Sequence, residues 1–236
     1  MLEKAINRLV QLGNPIAQAH GRAYRGDTLA PLPSPITKPD MMNMHTLSGF
    51  CAFIMNEKDL HGCTVLVGGN DHVSYVGDIA GDFNQRLIYA DTKPFIGAQF
   101  RFGQYHDPET FIVGLQSCFV QDEMTANVLK VVGNLQSEQV QTVVDDGVSQ
   151  QVAAKAGIAR VANIVLPNPV LLRPFRTYQE VEQPVSRFVL RAKRGDAGQM
   201  PTLALFETGD EQWKLAAVKS IKEYVTANAP GVLVLA

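Results

Sequence analysis

Between residues 140 and 206 the chain offers six short apolar or β-branched runs, at 140–144, 148–152, 164–166, 170–172, 188–191 and 203–206. Asp145, Asp146 and Gly147 supply hairpin-turn chemistry after the first run, while Pro167, Pro169, Pro184 and the segment GDAGQMP punctuate the later ones. Proline removes a ladder donor and confines a strand to an edge or an end, so these runs must stay short. The alternation in QVQTVV and VSQQV gives strands with one wet face. Together with 128–135, which leads into them, they predict an antiparallel sheet. The segment 213–229 then places Trp213, Ala217, Ile221 and Val225 at helical spacing, a face suited to packing across that sheet, and VLVLA after Gly231 reads as a last strand.

The first half is more helical. Residues 1–12 put Leu2, Ile6, Leu9 and Val10 on one face, and Gly13, Asn14 and Pro15 stop the helix. Residues 26–39 carry four prolines and predict an extended strap. Residues 45–57 space Leu47, Phe50 and Ile54 as a helix capped by Thr46 or Ser48. Strands are expected at 63–67 and 72–76 around Gly68, Gly69, Asn70 and Asp71, a hairpin turn needing positive φ, and again at 85–89. Asp107 as N-cap, Pro108 at the first helical position and Glu109 in the first turn mark a helix over FIVGLQSCFV. The fold class is therefore α+β: one or more mostly antiparallel sheets with a few packed helices. Residues 1–43 form an N-terminal helix and Pro-rich arm, and 44–236 form a body with sub-lobes at 44–125 and 126–236.

Composition excludes several classes of function. Residues Lys and Arg number 21 against 23 Asp and Glu, so the chain has no overall field for nucleic acid or an anionic membrane. Nothing approaches the roughly 18 uninterrupted apolar residues of a membrane span. Cys51, Cys63 and Cys118 are an odd set with neither disulfide nor zinc-knuckle spacing, which fits a reducing compartment.

Chemical candidates each have a plainer explanation. Cys51, His61, Cys63 and His72 have zinc-type side chains without the tight pairs of a zinc module, and read as buried thiols and turn histidines. His106 beside Asp107 and Glu109 resembles an acid–base cluster, but Asp-Pro-Glu is what a helix start requires. Asp145 and Asp146 fit a turn better than a metal site. Gly68 and Gly69 lack the Lys-Ser/Thr of a phosphate loop, and no Gly-x-Ser-x-Gly occurs. No catalytic residue, metal or cofactor is assigned.

The densest polar stretch is 173–186, RPFRTYQEVEQPVS. Arg173 and Arg176 can clamp an anion, with Glu180 and Glu182 pairing to them or to a partner; alternatively the stretch is a strap whose charges satisfy one another. Arg187, Arg191, Lys193 and Arg194, with Tyr178 and Phe188, extend it toward a modest single-strand nucleic-acid surface, diluted by Glu180, Glu182 and Asp196.

The order HTLSGFCAFI, HDPETFIVGLQSCFV, VVDDGVSQQV, PFRTYQEVEQPVSRFVLR and ALFETGDEQWKLAAVKSIKEYV resembles a family of uncharacterised phage and prophage proteins, over roughly 46–236. The genes of that family tend to lie in the early region, near recombination or replication functions. The resemblance implies a phage-derived protein of the host cytoplasm and carries no catalytic residues. The leading expectation is a non-enzymatic protein that self-associates through an arm bearing Leu2, Ile6, Leu9 and Val10, because an amphipathic helix on an extended linker must dock on its own body or on a neighbour. The alternative is an accessory protein of recombination, replication or defence evasion that binds nucleic acid or another anion through Arg173, Arg176, Glu180, Glu182, Arg187 and Arg191.

Overall fold

The computed structural model describes residues 2–13, 16–19, 22–25, 40–57, 62–80, 85–136, 139–145, 150–156, 160–194 and 200–236. The strap at 26–39, His61, Asp146 and Asp196 lie outside them. The chain opens with α1 (Leu2–Gly13) and an antiparallel pair, β1 (Ile16–Ala19) and β2 (Arg22–Arg25), too short and polar to be legible beforehand. Next come β3 (Met42–Met44), α2 (Leu47–Asn56), β4 (Thr64–Val67), β5 (Val73–Ala80) and β6 (Gln85–Thr92). Two helices follow, α3 (Pro108–Cys118) and α4 (Glu123–Gln136). Six strands lie beyond: β7 (Gln139–Asp145), β8 (Gln150–Ala156), β9 (Arg160–Leu166), β10 (Val170–Leu172), β11 (Ser186–Lys193) and β12 (Thr202–Thr208). The chain ends with α5 (Trp213–Asn228) and β13 (Leu233–Leu235).

The fold is α+β. A five-stranded mixed sheet has the order β13-β4-β5-β6-β3, with both short outer strands pairing parallel to their neighbours. The expected antiparallel strands of the second half form two three-stranded sheets, β7-β8-β9 and β10-β11-β12, divided at 167–169. There Asn168 replaces a strand partner: its amide side chain both accepts from Leu190 N–H at 2.7 Å and donates to Leu190 O at 3.1 Å.

Two apolar clusters organise these layers. Leu47, Phe50 and Ile54 of α2 join Ile221 and Val225 of α5 over Val65, Val73 and Ala90 of the five-stranded sheet. Thr46 caps α2 as expected, its hydroxyl accepting from Gly49 N–H at 3.2 Å. Phe111 and Leu115 of α3 join Val128, Val132 and Leu135 of α4 over Leu172, Phe188, Leu190 and Leu205. Asp107 caps α3, accepting from Thr110 N–H at 3.0 Å.

Three expectations are corrected. Residues 128–135 do not belong to the strands: they lie in α4, whose buried Thr125, Val128, Val132 and Leu135 follow a helical period. The turn at 68–71 joins β4 to β5 without positive φ, which among the described residues falls instead at Gly62, Gly103, Gly209, Asp210, Glu211 and Gly231. Of the expected apolar face of α5, Ala217, Ile221 and Val225 are buried while part-buried Trp213 stacks on Arg176, and the face packs on β4 and β13 rather than on the C-terminal antiparallel strands, because the chain returns to the first sheet.

Candidate functional site

The polar stretch 173–186 crosses the seam between the two clusters. At its start, 118–120 and 173–175 pair as short extended segments: Val120 N–H donates to Arg173 O and Phe175 N–H to Cys118 O, both at 2.9 Å. At its centre Tyr178 is fully buried in the first cluster, and its hydroxyl donates to Thr92 O at 2.7 Å. Burial foremost holds the Tyr178 phenol well above its ordinary range; the hydrogen bond to Thr92 O opposes this, and the Asp71, Asp91 and Glu180 carboxylates add to the rise. Buried Gln183 gathers the bend, accepting from Arg176 N–H at 2.9 Å and donating to Tyr178 O at 2.9 Å. Asn70 donates to Arg176 O at 2.9 Å, and the Thr177 hydroxyl donates back to Asn70 O, tying the stretch to the β4–β5 turn.

The charges are spent inside the molecule. Arg176, whose side chain is 10% exposed, meets Glu207 with both terminal nitrogens, at 2.6 and 3.0 Å. Its guanidinium lies 4.7 Å from the centroid of Phe102 and 4.5 Å from that of Trp213. Planar, delocalised guanidinium is the cation for such a slot, because it stacks and forks at once. Residues Gly209, Asp210 and Glu211 all take positive φ, turning the chain so that Trp213 closes the slot. Arg173 bridges Asp122 at 3.1 Å and Glu182 at 2.8 Å. Glu180 accepts from the backbone N–H and hydroxyl of Ser48, both at 3.1 Å, adding a carboxylate to the α2 N-terminus where the helix dipole favours one. Of the two readings of this stretch, the geometry is that of the strap.

Asp122 illustrates the energetic consequence. Burial pushes its carboxyl up, but Thr125 N–H and the Arg173 guanidinium outweigh that and hold it below its ordinary 3.8. A carboxyl depressed on folding contributes stability that is complete above its unfolded value and is lost as pH falls through the folded one. Asp122→Asn should therefore weaken the native state by about 1 kcal/mol at pH 6 and by much less near pH 3. Urea midpoints at both pH values check this; equal losses at both would refute the depressed carboxyl.

Beside the slot lies a cavity of about 280 Å3 lined by Phe100, Phe102, Cys118, Phe175, Arg176 and Trp213, with Asp71, Glu207 and Glu211 also on its wall. Glu207 is held by Arg176, and Glu211 by Lys214 at 2.7 Å. Elsewhere His72, Ser74 and Asp91 converge, but Asp91 Oδ1 meets both His72 Nε2 at 2.5 Å and the Ser74 hydroxyl at 2.9 Å, and Ser74 approaches that same ring nitrogen at 3.3 Å. A nucleophilic relay needs base and acid on opposite ring nitrogens. His106 Nε2 lies 3.1 Å from Arg101 O, and Asp107 is engaged by Thr110. Burial foremost, with the Glu180 charge, raises the Cys51 thiol to about 11. Among the described residues no three metal-ligating side chains cluster, and no helix is long and apolar enough to cross a membrane.

The six residues read as one binding surface are not together. Arg173, Arg176, Glu180 and Glu182 belong to the strap, with Arg176 on the core face of β11, beside Phe188 and Glu207. Arg187 and Arg191 point from the other face of β11, opposite Thr208 and Ala204. Arg187 is exposed near Phe206 and Tyr105, whose exposed rings meet edge-on at 6.1 Å. In the arm, Leu2 stands 78% exposed; the side chains of Ile6, Leu9 and Val10 lie outside the description. Sequence reasoning missed Trp213, Phe102 and Glu207 as the partners of Arg176. One signal was available: counting by twos from Leu203 and Leu205 puts Glu207 on the core face, where a charge requires a partner. Compared with known proteins, the chain matches no family model, no curated protein and no solved structure.

Proposed function

We propose that this chain is a self-associating, non-enzymatic building block of phage origin, acting inside the host cell. The observation that carries the reading is a contrast in how its side chains are used. Arg173 and Arg176 are paired with carboxylates within the molecule, whereas large apolar side chains at both ends of the chain, Leu2, Leu215, Leu233 and Leu235, stand in solvent. Such surfaces mark contacts with other proteins, and a homo-oligomer is the common outcome. Three cysteines outside any disulfide, two of them buried, fit a reducing compartment. The helix α1, followed by its proline-rich strap, is the candidate arm. Charging its apolar face by Ile6→Asp with Leu9→Asp should lower the mass of the assembly in light scattering. An unchanged mass would remove α1 from the interface.

A second reading rests on the outer face of β11, where Arg187 and Lys193 are exposed, with exposed Arg194 just past the strand and Phe206 and Tyr105 offering stacking surfaces near Arg187. Basic residues beside aromatic rings on an open sheet suit single-stranded nucleic acid. It requires oligonucleotide binding that weakens with salt and falls at least several-fold in Arg187→Ala; salt-independent or absent binding eliminates it.

A further inference from the structure

Residues 229–236, APGVLVLA, carry no charged side chain. They contain β13, an outer strand of the five-stranded sheet with no described strand beyond it, so one row of its backbone donors and acceptors faces outward. Protein edges are ordinarily protected by a charge, a bulge or a covering element, and β13 itself has neither charge nor bulge. Val234 points into the core, while Leu233 and Leu235 lie on the opposite face, 58% and 48% exposed, beside Thr64 and Leu66.

The helix above this edge is also unfinished. α5 lies over β4 and β13, and α2 over β6 and β3. Tyr224 packs against the first apolar cluster, and α2 lies along one flank of α5. Leu215 is nine residues away, two and a half turns, and so leaves the helix on the side opposite Tyr224. It is 75% exposed.

We propose that a second copy of this chain completes the edge, the two β13 strands pairing antiparallel about a two-fold axis normal to the sheet. This inference rests on the self-association reading and names one of its surfaces. With the axis at Val234, Leu233 stands opposite Leu235 of the partner subunit and the reverse. Directly opposed residues of an antiparallel pair share a face, so four leucines close over one another. The sheets become one continuous sheet of about ten strands. With strands about 4.8 Å apart, a helix seated over β4 and β13 lies about 5 Å from the axis, so the two α5 helices run about 10 Å apart, an ordinary packing distance, with Leu215 between them. An unrelated extended peptide would satisfy the edge but leave Leu215 in water, whereas a second copy covers both.

The test is sedimentation velocity of the full chain across a wide concentration range. It compares the native sequence with Leu233→Lys plus Leu235→Lys, and separately with Leu215→Lys; all three sites are solvent-facing, and circular dichroism checks the fold. The edge variant should dissociate at least tenfold more readily, and Leu215→Lys should weaken association in the same direction. If the edge variant misfolds, Leu233→Cys with Leu235→Cys should cross-link two chains under mild oxidation, and no cross-linked dimer would overturn the pairing. Native association unchanged in both lysine variants would overturn this edge while leaving self-association standing. A native chain that stays monomeric, or that stays monomeric while capturing an apolar extended peptide, would overturn both.

Discussion

Replacing Arg176 by Ala should lower the unfolding free energy by about 3–4 kcal/mol, the cost of stranding one member of a largely buried ion pair. The substitution removes both hydrogen bonds to Glu207 and the stacking partner of Phe102 and Trp213, and leaves a carboxylate facing the core with no cation. Arg176→Lys keeps the charge but not the planar fork, so it should recover less than half of the loss. Removing both charges, in Arg176→Met with Glu207→Leu, should recover most of it, because the desolvation penalty goes with the pair. Urea unfolding of the three variants decides this. A loss below about 1 kcal/mol in Arg176→Ala would mean the guanidinium is expendable to the fold and would return it to the list of ligand-binding groups.

Tyr178→Ala should cost about 4 kcal/mol, the range for deleting a fully buried aromatic ring. Its ring is the strap's anchor in the first cluster, among Leu47, Phe50, Val73 and Ala90. Tyr178→Phe keeps the ring and loses only the donor to Thr92 O, so about 1 kcal/mol is expected. The ratio of the two is informative: comparable losses would mean the hydroxyl rather than the packing holds the strap. Because the residue joins elements from both ends of the chain, Tyr178→Ala should also loosen α2 through Glu180 and Ser48. Faster amide exchange at Ser48 and Gly49 would register that.

What could be read from the sequence was what local chemistry decides. Asp107, Pro108 and Glu109 announce α3 because capping is settled within four residues, and Thr46 does the same for α2. Ala217, Ile221 and Val225 give the buried face of α5 through their period alone. The destination of that face was illegible, because the parallel pairing of β13 with β4 joins the end of the chain to its first third. In α4 the β-branched residues Val128, Val131 and Val132 masked a helical period. The strap's charges could be read either as a surface or as self-satisfied because their partners are remote: Asp122 is 51 residues from Arg173, and Glu207 is 31 from Arg176. A burial preference can be read locally; the identity of a partner across a seam is set by the assembled fold.

The most direct measurement is the native mass of the full-length protein by mass photometry and light scattering, at low and high salt, before and after nuclease. The account predicts a discrete assembly at a whole multiple of the 25.8 kDa chain, at least twofold, unchanged by salt or nuclease, because the contacts are apolar. A species of single-chain mass at tens of micromolar, or one whose larger mass disappears with nuclease, would contradict it.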